Sequence, residues 1–167
     1  MRRIVSTSIM GITIATSPVL SSAAGAASHA AKSFNSCSVV TQAQAASAIG
    51  GTVSKGVLGN ATVEGGLACV FYGSSAPSPH TPNVAQADTV RVVVVQGSNA
   101  LKWYNDYKSK VHAQSISGYG NKAYYDGYAS LSVLKGDYYL RIAVSPAKAA
   151  PSLSDEERLA KAVLSKL

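Results

Sequence analysis

The sequence predicts an α+β fold, an antiparallel-rich sheet sandwich packed with helices in the order α-β-β-β-α-β-β-β-α. Three observations carry this. First, β-branched runs dominate the strand candidates, above all Thr89 to Gln96 with Val90, Val92, Val93, Val94 and Val95. Second, helix starts are marked by capping residues at Thr41, at Ser98 or Asn99, and at Ser154. Third, strands come in runs broken by single helices. A doubly wound parallel sheet would alternate strand and helix one to one.

The first helix begins at Thr41, with Gln44 at the N3 position of a capping box, and ends at Gly50-Gly51. Its alanines suit close packing against a sheet. Thr52 to Gly59 and Leu67 to Tyr72 read as strands around an Asn60 to Gly66 turn region. Gly73 to Asp88 carries three prolines, Pro77, Pro79 and Pro82, and reads as a loop. The valine run that follows reads as a strand covered on both faces, hence central.

A second helix is expected from Ala100 to about Ala113. Leu101, Tyr104, Lys108 and Val111 recur along one face of it, with Trp103, Tyr107 and Lys110 on a neighbouring face. Ala129 to Leu134 and Tyr138 to Val144 then form a hairpin. A two-residue Lys135-Gly136 turn would pair Val133 with Tyr138 and Leu131 with Leu140. That register keeps one face apolar and puts Ser130, Ser132, Tyr139 and Arg141 on the other. The last helix starts at Ser154-Asp155-Glu156-Glu157, with Ser154 as cap and Leu159, Val163 and Leu167 as its buried stripe. Val90-Arg91-Val92-Val93-Val94 resembles Leu140-Arg141-Ile142-Ala143-Val144, a hint of internal duplication.

Residues 1–30 read as an export signal. Arg2-Arg3 is a positive n-region, Ile4 to Leu20 an apolar stretch, and the small residues that follow offer cleavage near 26/27 or 30/31. The apolar stretch is interrupted by hydroxyl residues and is shorter than a span. With no cysteine at its end, no stable membrane anchor is expected. Residues 31–167 are expected to form a single exported domain that stays monomeric and is secreted. The formal charge falls from +7 to +5 once Arg2 and Arg3 are removed. The lysines are scattered, which argues against a nucleic-acid partner.

Cys37 and Cys69 are the two cysteines. In an exported chain they are expected to form one disulfide, and pairing removes both as nucleophiles. His80 and His112 have no second ligand at metal spacing, so no metal site and no cofactor is expected. Gly118-Tyr119-Gly120 precedes a strand-like stretch instead of a helix, which makes it a tight turn and not a phosphate cradle. Asp126 and Asp137 read as turn residues.

The aromatic residues are more informative. There are nine tyrosines against two phenylalanines, and seven aromatics cluster between Trp103 and Tyr128. Tyrosine offers stiff contact area with a polar tip, which suits recognition of glycans or proteins. Trp103, Tyr107, Tyr119, Tyr125 and Tyr128 are the candidate binding residues.

A resemblance adds to this reading. Cys37, Thr41, Gly50, Cys69 followed by Phe71 and Tyr72, Gly118, Gly120, Ala123, Tyr124, Gly136-Asp137 and the Leu159 to Leu167 segment together resemble a family of small exported domains of unknown function, common among actinobacterial lipoproteins and secreted proteins. Asn121 stands where that family has Asp, and the lipid-attachment cysteine is missing. The resemblance implies a small α/β sandwich and carries no activity.

The function expected from the sequence is a secreted, non-catalytic binding or interaction domain at the cell envelope, with an envelope protein or glycan as partner. Two alternatives are a small secreted hydrolase using His80 or His112, and a protease inhibitor presenting the 73–88 loop.

Overall fold

The computed structural model describes residues 33–167. The expected signal segment therefore lies outside the described residues. Seven strands form one antiparallel sheet: β1 (Val57–Ala61), β2 (Gly66–Tyr72), β3 (Thr89–Gln96), β4 (Gln114–Ile116), β5 (Lys122–Tyr125), β6 (Ser130–Lys135) and β7 (Tyr138–Ser145). Their order across the sheet is β1-β2-β3-β7-β6-β5-β4. Helices α1 (Gln42–Ile49) and α3 (Leu153–Leu164) cover one face, and α2 (Ala100–Lys108) covers the other. The fold is the expected α+β class, with one more strand than the sequence suggested.

Alternation along the central strands assigns the two cores. Val90, Val92, Val94, Leu131, Val133, Leu140 and Ile142 meet Leu159 and Val163 of α3 and the alanines of α1. Val93, Val95, Ala68 and Val70 face α2 together with Tyr104, Tyr124 and Tyr139. Those three tyrosine rings pack edge-on, 5.0 Å and 5.8 Å from Tyr104 to the other two. β3 is buried on both faces from Thr89 to Val95, as its valine run requires.

The first helix forms as its sequence dictates. Thr41 Oγ1 accepts the Gln44 N–H, the Gln44 side chain accepts the Thr41 N–H, and Gly50 closes the helix in the left-handed conformation. Just before it, Cys37 and Cys69 are joined in a disulfide across 32 positions of sequence. That bond ties the lead-in of α1 to β2.

Six local expectations need correction. The strand expected from Thr52 starts only at Val57. Ser54 instead hooks onto the end of β2, donating its N–H to the Tyr72 carbonyl while its hydroxyl accepts the Tyr72 N–H. Helix α2 ends at Lys108, because the Ser109 hydroxyl donates to the Asp106 carbonyl and the chain turns toward the edge strand β4. Neither Ser98 nor Asn99 caps α2 through its side chain; Asn99 is itself helical. Its Leu101 is exposed, while Trp103, Tyr107 and Val111 pack against the core beside Tyr104.

The hairpin turns at Gly136-Asp137, so Lys135 pairs with Tyr138, Val133 with Leu140 and Leu131 with Ile142. The shift is two residues, which preserves the expected faces. Asn121 helps fix it, because its side-chain carbonyl accepts the Gly136 N–H at 2.6 Å. Finally, α3 starts after Ser152, not Ser154: the Ser152 carbonyl accepts from Asp155 and Glu156. Glu156 is thereby turned inward and fully buried.

Candidate functional site: a polar cleft on the face of the second helix

The repeated phrase around Arg91 and Arg141 lands at the middle of the sheet. β3 and β7 are antiparallel neighbours in which Val92 pairs with Ile142, Arg91 with Ala143 and Val93 with Arg141. Each arginine precedes the Val92–Ile142 pair by one residue in its own strand. Both therefore project to the face that carries α2, one on each side of that pair.

Glu64, in the turn between β1 and β2, meets both of them. It is fully buried. Arg91 grips it in a bidentate pair, Nη1 to Oε1 at 2.7 Å and Nη2 to Oε2 at 3.0 Å, and Arg141 Nη1 donates to Oε1 as well. Burial would raise the Glu64 carboxyl pKa, but the Arg91 hydrogen bonds and the charges of both arginines outweigh it and hold the pKa below the ordinary value. Arg91 is held in turn by the loop that covers it. Its Nε donates to the Pro82 carbonyl at 2.9 Å and its Nη2 to the Asn83 carbonyl at 3.2 Å. The 73–88 loop is thus fastened down over a buried cation along this stretch.

Arg141 carries the network outward. Its Nε donates to Ser130 Oγ at 2.9 Å, and Nη2 donates to the Tyr107 hydroxyl and lies 3.7 Å from Asp126. Its guanidinium also sits 3.8 Å from the Tyr107 ring centroid. Asp126 is fully engaged. Oδ1 accepts the N–H groups of Tyr128, Ala129 and Ser130 at 2.9, 2.9 and 3.0 Å, and Oδ2 accepts from Ser130 Oγ and from the Tyr107 hydroxyl. Burial acts to raise this carboxyl's pKa, yet the Ser130 hydroxyl and the three N–H groups lower it on balance. Two arginines and two carboxylates leave the network formally neutral.

Its outer end floors a cleft of about 680 Å³, within the ~300–1,000 Å³ usual for ligand sites. Tyr107, Asp126 and Arg141 form the floor, while Lys110, His112 and Tyr128 stand at the rim. Tyr128 is 85% exposed, although its backbone is pinned by Asp126. Lys110 and His112 are exposed, and neither forms an ion pair among the described residues.

The five candidate aromatics divide between the two faces of the sheet. Tyr107 and Tyr128 line this cleft. Trp103 lies on the same face but packs over Gly65, away from the cleft. Tyr119 is buried in the core under α1 and α3, and Tyr125 is half-buried on that same opposite face. His80 is stacked on Tyr72, with ring centroids 3.9 Å apart. Among the described residues no group of three or more His, Cys, Asp or Glu side chains is placed to hold a metal ion.

Sequence reasoning missed Glu64, Arg91, Arg141 and Asp126 as site-forming residues. The repeated β-Arg-β phrase was the available signal, because an arginine inside a valine run must find a buried partner. Comparison of the chain with protein-family models, with curated proteins and with solved structures yields no match.

Proposed function

We propose that this chain is an exported, non-catalytic binding domain whose ligand-facing surface is the cleft on the face of α2. One observation carries the reading: both oxygens of Asp126 and most donors of the Arg141 guanidinium are already committed within the protein. A general base needs a free lone pair within reach of a substrate proton. The cleft floor supplies a fixed, neutral, preorganised surface, which suits recognition. The disulfide fits an oxidising compartment, and the resemblance to small exported domains agrees with it.

The 73–88 loop gives the inhibitor reading little support, since the Pro82 and Asn83 carbonyls are spent on Arg91. The hydrolase reading keeps one argument: His112 lines the same cleft as Asp126.

The test is retention of envelope polymers and proteins by the full chain, compared with Tyr128→Ala and, as variants outside the cleft, Trp103→Ala and Tyr125→Ala. Retention should drop about tenfold for Tyr128→Ala, the effect of losing one exposed aromatic anchor, and hold for the other two. Equal retention by all four proteins would refute the cleft as the binding surface.

A further inference from the structure

Resting on that reading of the cleft, we infer that its ligand is an anionic saccharide, a short run of sugar rings bearing carboxylate or phosphate groups. The cleft combines two separate features that such a ligand needs.

The first is an exposed aromatic ring carried on a pinned backbone turn. Tyr128 sits at the tip of the turn between β5 and β6, where three successive N–H groups, its own among them, point to one Asp126 oxygen. Its ring is the most exposed of the large hydrophobic side chains. The pinned turn removes backbone ordering from the cost of binding, and a tyrosine face accepts the C–H side of a sugar while its hydroxyl meets water or a sugar hydroxyl.

The second is an unbalanced charge. Inside the cleft Arg141 and Asp126 offset each other, as Arg91 and Glu64 do beneath them. Lys110 is left over. It stands on the rim with the exposed His112 and makes no ion pair among the described residues. Lys108, two residues earlier and outside the cleft lining, faces the Tyr124 ring at 5.8 Å and is likewise without a carboxylate among the described residues. A neutral floor beneath a positive rim attracts an anion without stranding a buried charge when the site is empty. The volume of about 680 Å³ holds two or three sugar rings, whereas a protein partner would need a broader surface than this cleft offers.

Calorimetric titration of the full chain with tetragalacturonate, phosphorylated maltotetraose and neutral maltotetraose tests the inference. The first two carry the negative charge as carboxylate and as phosphate, so they separate its two sources. At low salt at least one anionic oligomer should bind roughly tenfold or more tightly than maltotetraose, with the advantage shrinking as salt screens the rim. Lys110→Ala should reduce that advantage about threefold or more by weakening the anions more than maltotetraose, and Tyr128→Ala should weaken every oligomer that binds. Tyr128-dependent binding of maltotetraose as tight as that of the anions would overturn the anionic inference and leave the cleft reading intact. No binding of any oligomer, alongside Tyr128-dependent retention of an envelope protein, would overturn the saccharide inference alone. No binding and no Tyr128-dependent retention would overturn both.

Discussion

Replacing Glu64 with glutamine removes one charge and few atoms, and the structure sets the size of the effect. The Glu64 carboxylate is fully buried and accepts three arginine hydrogen bonds, two from Arg91 and one from Arg141. Arg91 is itself only 2% exposed. Glutamine keeps one acceptor oxygen and turns an amide NH2 donor toward the guanidinium groups, so two buried cations then share only the Asp126 charge. Breaking a buried pair from one side costs about 3–5 kcal/mol, because the stranded charge cannot return to water. For a domain of this size each kcal/mol moves the midpoint of thermal unfolding by about 3–5 °C, so the midpoint should fall by roughly 10–25 °C. Thermal unfolding followed by circular dichroism measures the midpoint, and denaturant unfolding measures the free energy.

The sign of the pH dependence gives a second readout on the same variant. The folded-state pKa of Glu64 is depressed, so its contribution is present above the ordinary pKa, near 4.5, and is lost as pH falls through the depressed folded value. The wild-type protein should therefore lose stability on acidification below about pH 4.5, and Glu64→Gln should lose part of that slope, with Asp126 supplying a remainder. A variant within about 1 kcal/mol of wild type, with an unchanged acid limb, would refute the account of this pair.

Three further outcomes are expected. Glu156 is fully buried, its Oε2 has no partner, and burial, with smaller effects from Asp126 and Asp155, pushes its carboxyl up to about 8. A raised folded pKa gives stability that is whole below about 4.5 and is lost as pH rises toward 8, so Glu156→Gln should flatten that decline and gain about 1–3 kcal/mol above pH 8; a variant declining like wild type over that range would contradict this. Replacing both Cys37 and Cys69 with alanine should cost about 3–4 kcal/mol by freeing the 32-residue separation in the unfolded chain, as read by denaturant midpoint, and an unchanged midpoint would contradict the estimate. Gly120→Ala should destabilise far more than Gly118→Ala: both have positive φ, but a methyl at Gly120 would sit 2.4 Å from the Leu134 carbonyl oxygen, while at Gly118 it meets nothing within 4 Å. Paired thermal melts decide it, and equal losses would refute the packing argument.

Much of the fold was legible because local chemistry and tertiary packing agree. The Thr41–Gln44 box, the Gly50 stop, the twice-covered valine strand and the polar face of the hairpin all appear where short-range rules put them. The failures are equally physical. The hairpin slipped by two because both registers satisfy the same alternation, and Asn121, fifteen positions away from Gly136, decides between them. Strand β4 is three residues long on the sheet edge and has no hydrophobic pattern to announce it. Glu156 reads as first-turn surface charge until the start of α3 is moved to Ser152.

The candidate site was half visible. Tyr107 and Tyr128, which line the cleft, belong to the aromatic cluster between Trp103 and Tyr128 that the sequence displays. Nothing local separates them from Tyr119, which lies in the turn before β5, and Tyr125, which the β5 register sends to the opposite face. The ionic network beneath the cleft was hidden for another reason. Glu64, Asp126 and Arg141 come from three distant turns and strands, and only the antiparallel pairing of β3 with β7 brings the two arginines to one carboxylate.

The most direct test of the central claim, that the cleft beside α2 is where this domain meets its ligand, is a backbone-amide NMR titration of the full chain with tetragalacturonate. Perturbations should concentrate at Lys110, His112, Tyr128 and Ala143, leaving the groove between α1 and α3 around Ala48 and Arg158 unmoved. Perturbations centred on that groove, with the Tyr128 turn silent, would contradict the account.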